Sequence, residues 1–162
     1  MSIENNEKYE IFLSYEYHDE TTISLLYKRL TKENQLKVYC NLNRQENGVI
    51  EFEKITNSTI FLCCLTDKYT KSSKCAEEIK MAKKLKNTII VLMFEPLNWY
   101  EKGDVGYIIS GQITFKCFGE YEIFSTWSGT LFDSIVTELK EKLTINSSKA
   151  KSMDINFEKI LL

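Results

Sequence analysis

The chain is 162 residues long, with 43% hydrophobic and 12% aromatic residues, a formal net charge of −2 and a pI near 5.6. That is apolar material for one domain with a sizeable core, and it excludes the charge-rich, aromatic-poor composition of a disordered chain. The charge balance also argues against a nucleic-acid or anionic-membrane surface.

The amino terminus, MSIENNEKYE, is polar and lacks the apolar core of a signal peptide. The runs IFLCCL and IIVLMF are strand-length rather than membrane-length, so a cytoplasmic protein is expected. Five cysteines in odd number, without a CxxC pair and mostly inside apolar runs, fit reduced core thiols better than zinc ligands, and no metal site is expected.

In chain order, YEIFLS (Tyr9 to Ser14) predicts a first strand. ETTISLLYKRLTKEN (Glu20 to Asn34) follows as a helix with Ile23, Leu26, Tyr27 and Leu30 at helical spacing, and LKVYC (Leu36 to Cys40) as a second strand. A polar loop, NLNRQENG, and a short helical piece around Ile50 to Ile55 precede the strand TIFLCCL. Next come the segment YTKSSKCAEEIKMAKKL (Tyr69 to Leu85), read as a helix, and the strand TIIVLMF. GDVGYIISG (Gly103 to Gly111) reads as a loop into a fifth strand, QITFKCF, and SGTLFDSIVTELKEKL as a closing helix with Leu131, Ile135, Leu139 and Leu143 at multiples of four. The domain is expected to span 1–145. The remainder, 146–162, opens on small polar residues and reads as a linker or a short docking segment.

Continuous apolar strands alternating with helices imply an α/β fold: a flavodoxin-like, five-stranded parallel sheet with helices on both faces. Ligands of such sheets bind beyond the carboxyl ends of the strands at the switch point, which selects the loops after Ser14, Cys40 and Leu65.

The segment leading from that third loop carries two adjacent glutamates with different prospects. At about 100° per residue, Cys75, Ala76, Ile79, Met81, Ala82 and Leu85 form one apolar arc. Glu77 lies with Lys80, Lys83 and Lys84 on the other side, whereas Glu78 falls inside the arc, where a carboxylate must be paired, neutral or useful. Satisfaction by Ser72, Ser73 or backbone donors is the bland reading of it. The glycines include no GxGxxG and no P-loop. His18, the only histidine, precedes Asp19 and invites a hydrolase with Cys75 or Ser14 as nucleophile. No nucleophile elbow accompanies it, and a polar His-Asp pair after a first strand serves more often as the loop and cap of the next helix.

YEIFLSYEYHDE resembles the first box of the Toll/interleukin-1 receptor (TIR) domain family. Ser58, an apolar strand, and then Tyr69, Ser72, Cys75, Glu78 and Ile79 in Y-x-x-S-x-x-C-x-x-E-I reproduce that family's third strand and following helix. With FEP at Phe94 to Pro96 and TWSGTLFDSIVTEL, the resemblance covers about Tyr9 to Leu143.

It implies one of two functions. Many TIR domains cleave NAD between nicotinamide and ribose, and their catalytic glutamate occupies the position of Glu78. Others lack the glutamate and act as non-enzymatic adaptors through homotypic contacts. The presence of Glu78 favours an NAD nucleosidase active on self-association, in immune or stress signalling, with NAD as substrate and no cofactor. By the same resemblance Ser14, Tyr15, Glu16, Tyr17 and Asn43 are candidate substrate contacts. Lys74 stands where the family often has Trp before the Cys, so Lys74, for a phosphate, and Trp99, as a substitute platform, join them. The interval from Gly48 to Ser58 is about one helical turn shorter than usual, and Asn41 replaces an acidic residue.

Overall fold

The structure, a computed structural model, describes residues 7–42, 51–98 and 102–161. Five strands, β1 (Tyr9–Ser14), β2 (Val38–Tyr39), β3 (Ser58–Leu65), β4 (Thr88–Met93) and β5 (Ile113–Lys116), form one sheet in the order β2-β1-β3-β4-β5. Every pairing is parallel. The flavodoxin-like order expected from the alternation of elements is therefore present, with β1 and β3 paired at its switch point through Ile11↔Ile60 and Ser14↔Cys63.

Two helical layers cover the sheet. On one face α1 (Glu20–Lys28), α6 (Tyr121–Thr126) and α7 (Thr130–Leu161) enclose a core that includes Ile23, Leu26, Trp127, Ile135 and Leu139. On the other, α2 (Phe52–Thr56), α3 (Asp67–Lys71), α4 (Ser73–Lys84) and α5 (Gly103–Ile109) enclose Ile55, Tyr69, Cys75, Ile79 and Val105. Period-2 alternation divides β1 between them: Ile11, Leu13 and Tyr15 enter the first core and Phe12 the second. The four cysteines 63, 64, 75 and 117 are buried free thiols, as their apolar surroundings predict, and Cys40 is half-buried.

Four elements depart from expectation, the first being the segment read as one helix over Tyr69 to Leu85, which the extended backbone of Ser72 divides into α3 and α4. GDVGYIISG is not a loop but carries α5, because Val105, Ile108 and Ile109 meet the sheet at helical spacing and burial overrides the glycines. The helix expected over 20–34 is α-helical to Lys28 and then widens into a π turn over Arg29–Glu33. At the carboxyl end no break occurs at 146: α7 runs on to Leu161, so the residues read as a linker are helical. Leu85, placed on the buried arc, is 38% exposed because α4 closes there. Lys86 adopts φ 61°, and the amides of Lys86 and Asn87 bond to the carbonyls of Lys83 and Ala82, a Schellman ending. Among the described residues no helix is long and apolar enough to cross a membrane.

Candidate functional site

Glu78 is 1% exposed. Its helix is started by Ser72, whose hydroxyl accepts from the Cys75 amide at 3.2 Å, so Ser72 is engaged as a cap rather than as the expected partner of the glutamate. The partner comes from the sheet instead. Ser14 is the last residue of β1, two positions after Phe12 and thus on the same face, and its Oγ donates to Glu78 Oε1 at 3.3 Å. The same Oγ lies 2.7 Å from the hydroxyl of Tyr69, which is itself fully buried and anchored by its amide on Thr66 Oγ1. Burial pushes the Tyr69 hydroxyl well above its usual range, so it stays neutral.

Around Glu78 stand Tyr39, Asn41, Glu51 and Lys74, over Phe12 and Leu13, at the carboxyl ends of β1 and β2. This is the side of the sheet that the switch-point rule selects. The enclosed space is about 10 Å³, room for about one water molecule. A ribose does not fit without movement of the surrounding side chains. Burial and the neighbouring Glu51 carboxylate push the Tyr39 hydroxyl upward, so it too is a neutral donor.

The other residues singled out from sequence divide into three groups. Ser14 and Lys74 are brought to Glu78. Tyr15 belongs to the opposite core, and its hydroxyl donates to the Asn41 carbonyl, tying the end of β1 to the end of β2. Glu16 is 7% exposed and accepts from the His18 amide at 3.0 Å, with His18 Nδ1 at 2.8 Å, while the Tyr17 and His18 rings lie 3.9 Å apart. Asn43 and Trp99 lie outside the described residues. Tyr39, Glu51 and Tyr69 were not picked out as site residues. Tyr69 could have been, since it opens the motif that ends in Glu78.

The His-Asp pair lies in a short helical turn but does not supply its cap, contrary to expectation. Glu16, not Asp19, supplies the side-chain cap of the first helical turn, Tyr17–Asp19, and Asp19 makes no such bond at the start of α1. The thiol reading loses its access: Cys75 is 1% exposed and its Sγ faces the Tyr15 carbonyl at 3.5 Å. No group of three or more metal-ligating side chains occurs among the described residues.

Beyond α3 a second polar cluster fastens the rim. Asp67 receives Lys102 Nζ at 2.5 Å and Lys71 Nζ at 2.8 Å, and its amide donates to Glu95. The two ammonium groups hold its carboxyl down at about 2. A larger cavity of about 730 Å³, beside Met93, Leu97, Gly106, Tyr107 and Phe118, is mostly apolar, and no carboxylate of the described residues lines it.

A doubly wound α/β domain with a buried carboxylate at its strand ends is the class that these observations define. Residues 11–120 match the TIR domain family over more than half of the chain, and the chain belongs to that family. Among solved structures it is similar to the TIR domain of the Toll-related receptor TRR-2 from Hydra magnipapillata. That likeness has 16% identity and a TM-score of 0.54, and covers 82% of this chain and 99% of that one. It is also similar to the TIR domains of the activated Roq1 resistosome that directly recognizes the pathogen effector XopQ, at 20% identity over 85% of this chain and 82% of that one, with a TM-score of 0.46. The first likeness supports the fold alone, and the second adds no argument. No curated protein sequence matches the chain.

Proposed function

We propose that this TIR domain cleaves the nicotinamide-ribose bond of NAD, with Glu78 as the catalytic carboxylate and self-association as the condition for turnover. The observation that carries the reading is a carboxylate 1% exposed at the end of the sheet, with the Ser14 hydroxyl donating to it. Breaking an N-glycosidic bond passes through an oxocarbenium-like state, which a nearby carboxylate in a water-poor site stabilises strongly. Nicotinamide leaves without a general acid, so one such group suffices. Lys74, at the cleft, suits a phosphate of the substrate.

The narrowness of the cleft, about 10 Å³, favours a second reading, in which the domain is a non-enzymatic scaffold acting through homotypic TIR contacts. In the enzymatic reading, assembly opens the cleft. Partners are other TIR domains in both readings, and immune or stress signalling in the cytoplasm is the setting proposed for each.

Concentrated protein incubated with NAD separates the two by release of free nicotinamide. Glu78→Gln keeps size but removes the charge, and is expected to lower that release by about a hundredfold or more. Its melting temperature should stay level or rise slightly, since a buried carboxylate is costly to hold. An active but destabilised Glu78→Gln protein would refute the catalytic role, and absence of nicotinamide release from the assembled wild type would leave the scaffold.

A further inference from the structure

α7 is far longer than the sheet it covers. Its 32 residues extend about 48 Å at 1.5 Å per residue, against about 20 Å for a six-residue strand such as β4. Phe132, Ile135, Val136 and Leu139 are buried against the domain, and Asn146 Nδ2 still reaches Thr88 Oγ1 at 3.3 Å. Beside it Ile145 is 45% exposed, and the helix continues for another 15 residues, from Ser147 to Leu161.

The sequence of that extension keeps a strict spacing. Phe132, Val136, Leu139 and Leu143 set intervals of four, three and four, and Asn146, Ala150, Met153, Phe157 and Ile160 carry the same alternation onward without a skip. A seven-residue repeat of this kind places one narrow stripe along the helix, the seam of a coiled coil rather than the broad face of a helix lying on a sheet. In heptad terms Val136, Leu143, Ala150 and Phe157 occupy a, and Asn146, Met153 and Ile160 occupy d.

We infer that residues 146–160 of α7 pair with the same segment of a second copy of this chain, as a parallel two-stranded coiled coil. Charge at the flanking positions selects both the partner and its direction. Lys149 occupies g and Asp154 the following e, so in a parallel pair each lysine stands opposite the aspartate of the other chain. An antiparallel pair would oppose lysine to lysine and aspartate to aspartate. Two heptads make a weak dimer, and its effect is to hold two TIR domains at the same end of the pair, raising their effective concentration for one another.

The test is the mass of the full chain by sedimentation velocity from about 1 to 300 μM, without NAD, so its outcome is independent of the enzymatic reading. The wild type should rise toward twice the monomer mass. Met153→Lys with Phe157→Lys, both on the stripe, should weaken the dimer about tenfold or more, while Ile155→Lys, off the stripe, should leave it within about twofold. Lys149→Asp should weaken it, and adding Asp154→Lys should restore it. Near-ultraviolet circular dichroism checks that each domain stays folded. A wild type that remains a monomer throughout overturns the inference, as does a dimer indifferent to the stripe or one that Ile155→Lys abolishes. Failure of the charge swap to restore pairing overturns the parallel arrangement.

Discussion

The two layers of this domain are built on opposite terms. The face under α1, α6 and α7 is a continuous apolar core, twenty buried residues among those described, centred on Trp127, Leu139 and the inward side of β1. The face under α2 to α5 is apolar as well, but a carboxylate, a serine hydroxyl and a tyrosine hydroxyl are enclosed at its end, and the Asp67 ion pairs lie on its rim. Adjacent residues of one strand serve both: Leu13 packs into the first layer and Ser14 reaches Glu78 in the second. One layer thus draws its stability from apolar burial. The other gives up some stability to hold polar groups away from water.

Removing bulk from the apolar layer is the strongest way to test that division. Trp127 is fully buried, donates its indole N–H to the Thr22 carbonyl at 3.0 Å and touches the rings of Phe94, Phe124 and Phe132. Trp127→Ala should lower the unfolding free energy by about 3–5 kcal/mol in a urea titration. Any NAD cleavage should fall only as the folded fraction falls. Specific loss of turnover in the folded Trp127→Ala protein would show that the layers are coupled.

Ser14→Ala is the corresponding change in the polar layer. It deletes the hydroxyl between Tyr69 and Glu78 and leaves both without it, at a cost of about 1–3 kcal/mol by the same titration. Here turnover should fall by more than unfolding explains. A smaller and opposite change comes from Lys86, whose φ of 61° suits glycine. Lys86→Gly should stabilise by about 0.5–1 kcal/mol and leave turnover unchanged, since it relaxes the end of α4 remote from the cleft.

The smallest effect concerns pH. Asp67 has its carboxyl depressed by Lys102 and Lys71, so its contribution is present above the unfolded value near 3.8 and is lost as pH falls toward about 2. Asp67→Asn should therefore lower the melting temperature slightly and evenly above about pH 4, and flatten its decline between about pH 4 and 2, where wild type and variant converge.

Much of this was legible in the sequence because burial has a period. The runs Ile11 to Leu13 of β1, Ile60 to Leu65 of β3 and Ile89 to Met93 of β4 are apolar, as a parallel sheet covered on both faces requires. Glu78 stood out by breaking the 3.6-residue pattern around it, and the structure buries it where the pattern does. What did not show was what crosses between segments. Nothing local in LKVYC says that only Val38 and Tyr39 pair, nor does YEIFLS say that Ser14 meets a residue 64 positions away. α5 was hidden by its glycines, whose low helical propensity is outweighed by the burial of Val105, Ile108 and Ile109. The continuation of α7 was hidden by Asn146, Ser147 and Ser148, which read locally as a stop.

The bond from Ser14 to Glu78 also has an arrow. A serine hydroxyl carries one proton, and when it is given to Oε1 the 2.7 Å contact behind it must be closed by the proton of Tyr69. The row of oxygens then points a single way, from tyrosine through serine to carboxylate, and it can turn round only if Glu78 itself takes up a proton. A guest reaching the carboxylate end of this row is met by lone pairs. A group that donates a hydrogen bond can therefore extend the row at its carboxylate end, and one that only accepts cannot.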